Sequence, residues 1–388
     1  MDFADFLIFS AGGWVLFSIS KQKNDWKLLW PKTTGLGALW IVWLVIIALG
    51  LFNNNPVNKD TIEALLEFRW MLSFQVLCFT LAWIDWDDKK AQILMTILLG
   101  VVALSFGFYY FAEDPRAGGP FGHSMPFAHT YGMAFVFVAG FLLVGIKNMA
   151  SWKYLALITT LATAIITSLS MTRGAWLGML VGVVCISLLV GRRWYGLALT
   201  SCLIATFAMT LAISPVARER TLSTNTKVNE SDNQRKALWL GNIEIAKDYP
   251  ILGTGYSQNK KHLRAYFDKL NYPKDQFISH AHNQYIQLLA GTGILGLICY
   301  LIFLGVILHH TFMAFWKTDA KETLLKSITL GALGAQICFV VGSLTESNFS
   351  ISKNRYLFLL ISAMGISIYY RYILKENFQK YKTESPNG

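Results

Sequence analysis

The chain has 388 residues, of which 54% are hydrophobic and only 15% are charged, and its net charge is +11. Soluble domains carry about 25% charged residues, whereas here the apolar residues form runs that approach the roughly 20 residues needed to cross a bilayer. These figures exclude an ordinary soluble enzyme, a disulfide-rich secreted domain and a disordered protein.

Eleven apolar runs are predicted to be transmembrane helices, because each is apolar on all faces and lacks the alternation of a membrane β-strand. They cover residues 4–20, 34–53, 69–84, 91–111, 127–146, 154–171, 174–191, 195–213, 285–308, 327–344 and 356–370. The predicted fold class is all-α, a polytopic integral membrane protein with about 11–12 transmembrane helices. The predicted divisions are helices 1–8 in residues 1–213, an outer loop domain in 214–284, helices 9–11 in 285–370 and a tail in 371–388.

The basic residues predict the orientation of the chain. Alternate short loops hold 17 Lys and Arg residues in one set and 6 in the other, and the basic set is expected in the cytoplasm. The amino terminus then lies outside and the carboxyl tail inside. No cleavable signal peptide is recognised, so the first span is expected to remain. The other 11 basic residues lie in the long outer loop, which is exempt from the charge rule. The positive charge thus indicates topology and contact with membrane lipid, and no nucleic-acid partner is expected.

The outer loop domain has the pattern of two amphipathic helices. Ser231-Asp232-Asn233-Gln234 resembles a capping box, which predicts a helix that starts there and ends at Pro250. A second helix, over about 257–270, carries one apolar stripe made of Leu263, Tyr266, Phe267 and Leu270. We expect both helices to lie against the membrane surface.

Ten ionisable side chains fall in the outer segments: Arg116, His123, His129, Arg173, Arg235, Arg264, His280, His282, Glu346 and Arg355. Ionisable groups near membrane depth tend to mark a functional cavity. Arg173 is the clearest case, because it lies between two apolar runs with almost no loop and has little room to reach the interface. Its guanidinium group suits phosphate oxygens, so a functional role is favoured over a snorkelling one.

Arg235, His280 and His282 are ambiguous when taken singly, since each is compatible with a solvated or interfacial side chain. Two histidines two residues apart suggest a metal site, but they share no helix face and the sequence supplies no clear third ligand. We therefore expect no metal and no cofactor. The chain also lacks a P-loop, a Gly-x-Ser-x-Gly motif, a His-Glu-x-x-His motif and a dinucleotide fingerprint. An enzyme of this kind needs a substrate that is already activated and already outside.

Several short motifs occur in a recognisable order. They are Arg116 ahead of Pro120-Phe121-Gly122, the hairpin Ser170-Met171-Thr172-Arg173-Gly174, the stretch Asn233-Gln234-Arg235, the loop Pro250-Ile251-Leu252-Gly253-Thr254-Gly255, and His282-Asn283 separated by nine residues from Gly293-Ile294-Leu295-Gly296. Together they resemble the superfamily of O-antigen ligases and O-antigen polymerases, and most closely the O-antigen ligase (lipid A-core:surface polymer ligase). The similarity extends from about residue 70 to 370.

The resemblance implies a glycosyltransferase of the bacterial inner membrane. Such an enzyme moves O-antigen from undecaprenyl diphosphate, the donor, to lipid A-core oligosaccharide, the acceptor, at the periplasmic face, without nucleotide or metal. Family members have twelve spans with both termini inside, so a further span is expected before residue 1. Among the motif residues, His282 is expected to act as general base, with inversion, and Arg173 and Arg235 to bind the diphosphate. The other expected substrate-binding residues are Arg116, Arg264, Asn283, Glu346 and His280.

Three alternatives remain open. An O-antigen polymerase uses the same class of donor with a lipid-diphosphate-linked acceptor. A protein O-oligosaccharyltransferase is a third member of the superfamily, although those enzymes usually carry a longer carboxyl region. A transporter of lipid-linked glycans would perform no chemistry. Charges at mid-membrane depth and internal symmetry would favour this interpretation, and neither is recognised in this sequence.

Overall fold

The computed structural model describes residues 36–55, 57–82, 84–111, 116–118, 123–149, 152–222, 226–273 and 275–384, together with Ser10 and Gly13. Helices and connecting segments account for all of these residues, and no strand occurs among them. The predicted all-α fold is therefore confirmed. The predicted span at 4–20 lies outside the described residues apart from Ser10 and Gly13.

The described residues contain fourteen α-helices and a short 3-10 turn, Glu67–Arg69. The helices are α1 Leu36–Asn54, α2 Lys59–Leu66, α3 Trp70–Ala82, α4 Asp88–Phe111, α5 Ser124–Gly145, α6 Lys153–Leu169, α7 Arg173–Leu189, α8 Arg193–Ile213, α9 Pro215–Leu222, α10 Thr226–Asp248, α11 Asn259–Lys269, α12 Gln284–Lys317, α13 Thr323–Gly342 and α14 Ser352–Glu384.

Seven helical segments of the described chain are long and apolar enough to cross a membrane. They are Leu36–Asn53, Lys59–Ala82, Asp88–Phe111, Ser124–Gly145, Arg193–Ile213, Gln284–Lys317 and Thr323–Gly342. The helices α6 and α7 are also apolar but shorter. Each predicted span from 34–53 onward overlaps one of the observed helices. The chain is thus a multi-pass membrane protein.

The centre of the bundle is the pair α5 and α13. Within their apolar windows, 89% of the residues of α5 and 67% of those of α13 are buried, against 17% for α8 at the periphery. A Cβ atom added to Gly140 of α5 would lie 2.4 Å from the Cα atom of Gly331 in α13, so the two backbones touch where the helices cross. Close backbone approach of this kind drives helix association where lipid and protein are equally apolar. The helices α7 and α14 pack on α13, and α6 packs on α5.

The outer loop domain differs from the structure that its sequence pattern predicted, both in where a helix starts and in what the apolar stripe contacts. Helix α10 begins at Thr226 rather than at Ser231, so the capping-box pattern lies inside the helix. A cap contributes only about 1 kcal/mol, which is too little to fix where a helix starts. Helix α11 does carry the predicted apolar stripe, but Leu263 and Phe267 are buried with Leu238 of α10 in one cluster. The stripe therefore packs against protein, whereas the sequence suggested that it lies on the membrane surface.

Backbone hydrogen bonds join the loop domain to the helical bundle at a break in α12. Gly293 has φ 63° and ψ −171°, which interrupts the helix. The freed backbone groups bond to the loop that follows α10: the amide of Ile294 donates to the carbonyl of Pro250 at 2.9 Å, and the amide of Thr254 donates to the carbonyl of Ala290 at 3.0 Å. A Cβ atom on Gly293 would lie 2.1 Å from the carbonyl oxygen of Ile251, so only glycine allows this docking.

Contacts between distant segments join those predicted to share a side of the membrane. Arg371 pairs with Asp85, and both belong to segments with the predicted cytoplasmic charge bias. At the opposite set of helix ends, Asn55 Nδ2 donates to the carbonyl of Thr254 at 2.7 Å, and Lys261 pairs with Asp60 at 2.9 Å. The segments predicted to lie outside are therefore brought together. Which end faces the periplasm stays a prediction.

Candidate active site

Three arginines predicted from the sequence line one cavity. The cavity has a volume of about 210 Å³ and is bounded by Arg116, Met125, Met171, Thr172, Arg173, Gly174, Arg235 and Thr345. Arg116 comes from the segment before α5, Arg173 from the start of α7 and Arg235 from α10. Residues 119 positions apart in the sequence thus meet at one site, which we name the arginine cavity.

The short connection between α6 and α7 fixes the position of Arg173. Met171 has φ 54°, a left-handed conformation that reverses the chain within three residues. Arg173 is then the first residue of α7, where the partial positive charge of the helix terminus adds to that of the guanidinium group. Its Nη2 atom donates to Asp232 Oδ1 at 3.1 Å, and both side chains are more than half exposed. This ion pair links α7 to α10.

Arg116 and Arg235 both donate hydrogen bonds to neutral groups. Arg116 Nε donates to the carbonyl oxygen of Ser170 at 3.0 Å, and its Nη2 lies 3.4 Å from Thr172 Oγ1. Arg235 Nη2 donates to the sulfur of Met125 at 3.4 Å, and a thioether is a weak acceptor. Among the described residues, no carboxylate forms an ion pair with Arg235. The described residues that line the cavity thus include three guanidinium groups, and Asp232 pairs with one of them, Arg173.

A second cluster consists of His280, His282 and Glu346. His280 Nε2 lies 2.7 Å from Glu346 Oε1, and His282 Nδ1 lies 3.0 Å from Glu346 Oε2. The amide of Ser347 also donates to Oε1 at 2.8 Å. Glu346 is 1% exposed, whereas the side chain of His280 is 38% exposed. The carboxylate is therefore buried beneath two imidazole rings, one of which reaches the surface.

The charge state of Glu346 determines which ring nitrogens carry protons. Burial alone would raise the pKa of the Glu346 carboxyl, but the hydrogen bonds from His280 and His282 outweigh burial and hold that pKa well below its usual range. An ionised carboxylate only accepts hydrogen bonds, so His282 donates through Nδ1. A neutral His282 then has its lone pair on Nε2, the ring nitrogen that does not contact Glu346.

Backbone geometry directs His282 towards Glu346. His282 has φ 47°, a left-handed conformation that a non-glycine residue seldom adopts outside specialised sites. Asn283 follows as the N-cap of α12, and its Oδ1 accepts from the amides of Tyr285 and Ile286 at 3.0 and 3.1 Å. Its Nδ2 donates to the carbonyl of Leu344 at 3.0 Å. The polar atoms of Asn283 are thus engaged in holding the start of α12 against the segment that carries Glu346.

The arginine cavity and the histidine cluster are adjacent. Thr345 lines the cavity, and the next residue, Glu346, binds both histidines. The segment between α13 and α14 therefore contributes to both parts of the site. Arg264 is placed elsewhere: its guanidinium group donates to the carbonyl oxygens of Pro273 and Gln276, at 3.5 and 3.2 Å. That contact braces the segment leading to His280 and does not reach the cavity.

Sequence reasoning missed Asp232, Met125 and Thr345. Asp232 was interpreted as part of a helix cap, although it is the partner of Arg173. No local signal marks Met125, which reaches Arg235 from the first turn of α5. The sequence also supplied no third ligand beside the two histidines, whereas the structure places Glu346 there, with the ligand atoms of all three residues within 4.8 Å of one another.

An apolar groove lies along α7, the helix that begins with Arg173. It has a volume of about 290 Å³ and is lined by Ser168, Trp176, Leu177, Leu180, Leu203, Ile204 and Phe207. Trp176 lies three residues after Arg173, so the groove and the arginine cavity are lined by neighbouring turns of the same helix. Its ring packs edge-on against Phe207 of α8 at 4.0 Å between centroids. Leu177 and Ile204 are 46% and 60% exposed, so the groove opens to the surroundings of the bundle.

The chain was compared with known proteins. A search of curated proteins found no match. Residues 155–301 match the O-antigen ligase family, and that stretch includes Arg173, Arg235 and His282 but neither Arg116 nor Glu346. This match supports the resemblance to the O-antigen ligase superfamily that the sequence motifs indicated.

Proposed function

We propose that this protein is a glycosyltransferase that transfers O-antigen from undecaprenyl diphosphate to lipid A-core oligosaccharide, at the periplasmic face of a bacterial inner membrane. A role in joining O-antigen-type glycans follows from the family match. The observation that carries the finer proposal is that a cavity lined by three arginines adjoins a histidine paired with a buried carboxylate, through the neighbouring residues Thr345 and Glu346.

In this mechanism the arginine cavity holds the diphosphate of the donor. As the bond between the anomeric carbon and the diphosphate oxygen breaks, its electron pair passes to the diphosphate and the negative charge there increases. Guanidinium groups already in place stabilise that charge more in the transition state than in the ground state. Arg173 and Arg235 are assigned this role, with Arg116 at the rim of the same cavity.

His282 acts on the acceptor. Its Nε2 lone pair takes the proton from the acceptor hydroxyl as the oxygen attacks the anomeric carbon, and the resulting imidazolium remains next to the carboxylate of Glu346. Attack opposite to the leaving diphosphate inverts the anomeric centre. In this scheme Glu346 orients His282 and stabilises its charged form, His280 shares that carboxylate, and Asn283 positions the backbone on which His282 is carried.

The apolar groove along α7 suits the polyprenyl chain of the donor. An undecaprenyl diphosphate has an anionic head joined directly to a long hydrocarbon, and here neighbouring turns of α7 line a cavity with three arginines and an apolar groove. Because lipid tails are as apolar as the groove, the tail would gain van der Waals packing in the groove and no hydrophobic free energy from leaving water. The groove would therefore add affinity and fix the direction of the tail, while the sugar chain extends from the cavity to the outer side.

The test of this proposal is complementation of a strain that lacks the gene. We expect such a strain to lose O-antigen from lipid A-core and to accumulate full-length lipid-linked polymer. The variant His282→Ala should restore no transfer, because loss of a general base costs roughly 10²–10⁴-fold in rate, and it should accumulate in the membrane as the wild type does. The control is His262→Ala, which changes a half-buried histidine of α11 outside the cluster.

The same strain separates the alternatives. A single repeat unit on lipid A-core in the deletion strain would indicate that a polymerase had been lost, and normal lipopolysaccharide with unglycosylated secreted proteins would indicate an O-oligosaccharyltransferase. Wild-type amounts of capped lipopolysaccharide with His282→Ala would contradict the role of His282.

A further inference from the structure

The histidine cluster has the composition of a transition-metal site. Two imidazole nitrogens and one carboxylate oxygen, from His280, His282 and Glu346, all lie within 4.8 Å of one another. Two histidines with a glutamate are a common ligand set for Zn²⁺, in which a fourth position stays open to water. The partly exposed His280 ring lies on the open side of the cluster, so an ion has a path to it from solution.

The second layer of contacts also suits a metal. Ser279 Oγ lies 3.3 Å from His280 Nδ1, and the amide of Ser347 donates to Glu346 Oε1 at 2.8 Å. Metal-binding histidines almost always donate their other ring N–H to an oxygen, and metal-binding carboxylates are themselves hydrogen-bonded. Glu346 and His280 thus already have the outer partners that a ligand needs.

The distances require adjustments of about 1–2 Å. With Zn²⁺ bonds of about 2.0–2.2 Å, neighbouring ligand atoms of a tetrahedral site lie roughly 3.3 Å apart. The two imidazole nitrogens lie 2.7 and 3.0 Å from the oxygens of Glu346, so these pairs need to open by less than about 1 Å. Separations among the ligand atoms reach up to 4.8 Å and need to close by about 1.5 Å, for which the partly exposed His280 ring has room to move.

We propose that His280, His282 and Glu346 bind Zn²⁺, and that the bound ion inhibits the protein. Zn²⁺ binding is independent of the proposed function. The inhibition rests on the proposed function, because the ion acts through His282, the assigned general base. Zn²⁺ on Nδ1 of His282 replaces the proton that this atom donates to Glu346. In the neutral ring that proton moves to Nε2, and the lone pair assigned to the acceptor hydroxyl is lost.

The proton balance at the other ligands is also satisfied. At His280 the proton moves from Nε2 to Nδ1, where Ser279 Oγ is placed to accept it. Glu346 exchanges two N–H donors for the metal ion and keeps its negative charge. No proton needs to leave the cluster, and one elementary charge of the Zn²⁺ ion remains uncompensated by the ligands. That positive charge would further oppose formation of an imidazolium at His282.

Binding is tested on the full-length protein, purified in detergent, stripped of metal with a chelator and titrated with Zn²⁺ against a chromogenic zinc indicator. We expect one Zn²⁺ per wild-type chain, and a loss of affinity of at least about tenfold in His280→Gln and in Glu346→Gln. His262→Gln, with its histidine outside the cluster, should bind Zn²⁺ as the wild type does. Gel filtration of each variant checks that it is folded. No saturable binding, or equal binding by wild type and His280→Gln, would overturn the site.

Inhibition is tested by glycan transfer in the same preparation. We expect the chelated protein to be active and Zn²⁺ to suppress transfer with a midpoint that matches the binding titration. Transfer that is unchanged by saturating Zn²⁺, or that requires Zn²⁺, would overturn the inhibitory role. A chelated protein that binds Zn²⁺ but transfers no glycan would count against the proposed function, while the metal site would stand on the titration.

Discussion

Arg173 and Arg235 face the same cavity, but they are held in different ways. Arg173 has an acidic partner in Asp232, and Arg235 contacts the sulfur of Met125. A diphosphate entering the cavity must displace or share the carboxylate at Arg173, whereas at Arg235 it replaces only a weak acceptor. The two arginines therefore contribute unequally to anion binding, and the net gain in interaction free energy is larger at Arg235.

The shape of the guanidinium group at Arg173 can be tested separately from its charge. Arg173→Lys keeps the charge but removes the planar set of donors that bonds two phosphate oxygens together. We expect transfer to fall by roughly 10²-fold, the usual effect of removing one preorganised donor to a developing oxyanion. The measurement is the rate of glycan transfer in membranes with equal amounts of protein.

Arg193→Lys is the matched control, because Arg193 is likewise the first residue of a helix, α8, but belongs to the set of loops predicted to lie inside. It should leave the rate unchanged. Normal transfer by Arg173→Lys would mean that charge alone is sufficient at this position.

At the scale of helices, the crossing of α5 and α13 depends on the absence of side chains. In Gly140→Ala the new Cβ atom would lie 2.4 Å from the backbone of Gly331, so the helices must move apart. We expect a loss of roughly 1–3 kcal/mol, typical of overpacking, seen as a lower Tm in detergent. Gly107→Ala in α4 is the control, since its Cβ atom would meet nothing within 4 Å, and its Tm should not fall. Equal Tm values for the two variants would contradict the close crossing.

The groove between α7 and α8 gives a second prediction at this scale. Leu180→Trp puts a large ring into the groove, so we expect the KM for the lipid-linked donor to rise by about tenfold, which corresponds to about 1.4 kcal/mol of lost packing against the tail. Leu188→Trp makes the same change on α7 at a residue that is 64% exposed and does not line the groove, and its KM should match the wild type. A donor KM that is the same in both variants would place the tail elsewhere.

For the whole molecule, the predicted orientation can be measured by labelling. In a chain whose native cysteines are replaced by serine, Lys260→Cys introduces a thiol in the outer loop domain, and Lys321→Cys introduces one between α12 and α13. Both positions are exposed. Because the first belongs to the loops predicted to lie outside and the second to those predicted inside, a membrane-impermeant maleimide added to spheroplasts should label only Lys260→Cys. Labelling of only Lys321→Cys would reverse the orientation.

Hydropathy predicted the framework of this fold because each membrane helix satisfies its own backbone and therefore reveals itself locally. Local patterns failed where tertiary contacts decide: the capping-box pattern at Ser231 lies inside α10, and the apolar stripe of α11 covers a neighbouring helix. For the candidate site too, local sequence patterns identified single residues but not their tertiary partners. His282 was accessible to motif reasoning, but its partner Glu346 lies 64 positions further along the chain, and no spacing rule connects them.

The hairpin of α6 and α7 is shorter than the membrane it crosses. Each helix has 17 residues, which at 1.5 Å per residue gives about 25 Å, against a hydrocarbon core of about 30 Å. A helix pair with this hydrophobic mismatch thins the bilayer around it or keeps its tip below the level of the headgroups. In the proposed function, this shortness would bring Arg173, at that tip, to the depth of a lipid diphosphate. A polyprenyl-linked donor would then enter the arginine cavity by lateral diffusion, without lifting its tail out of the bilayer.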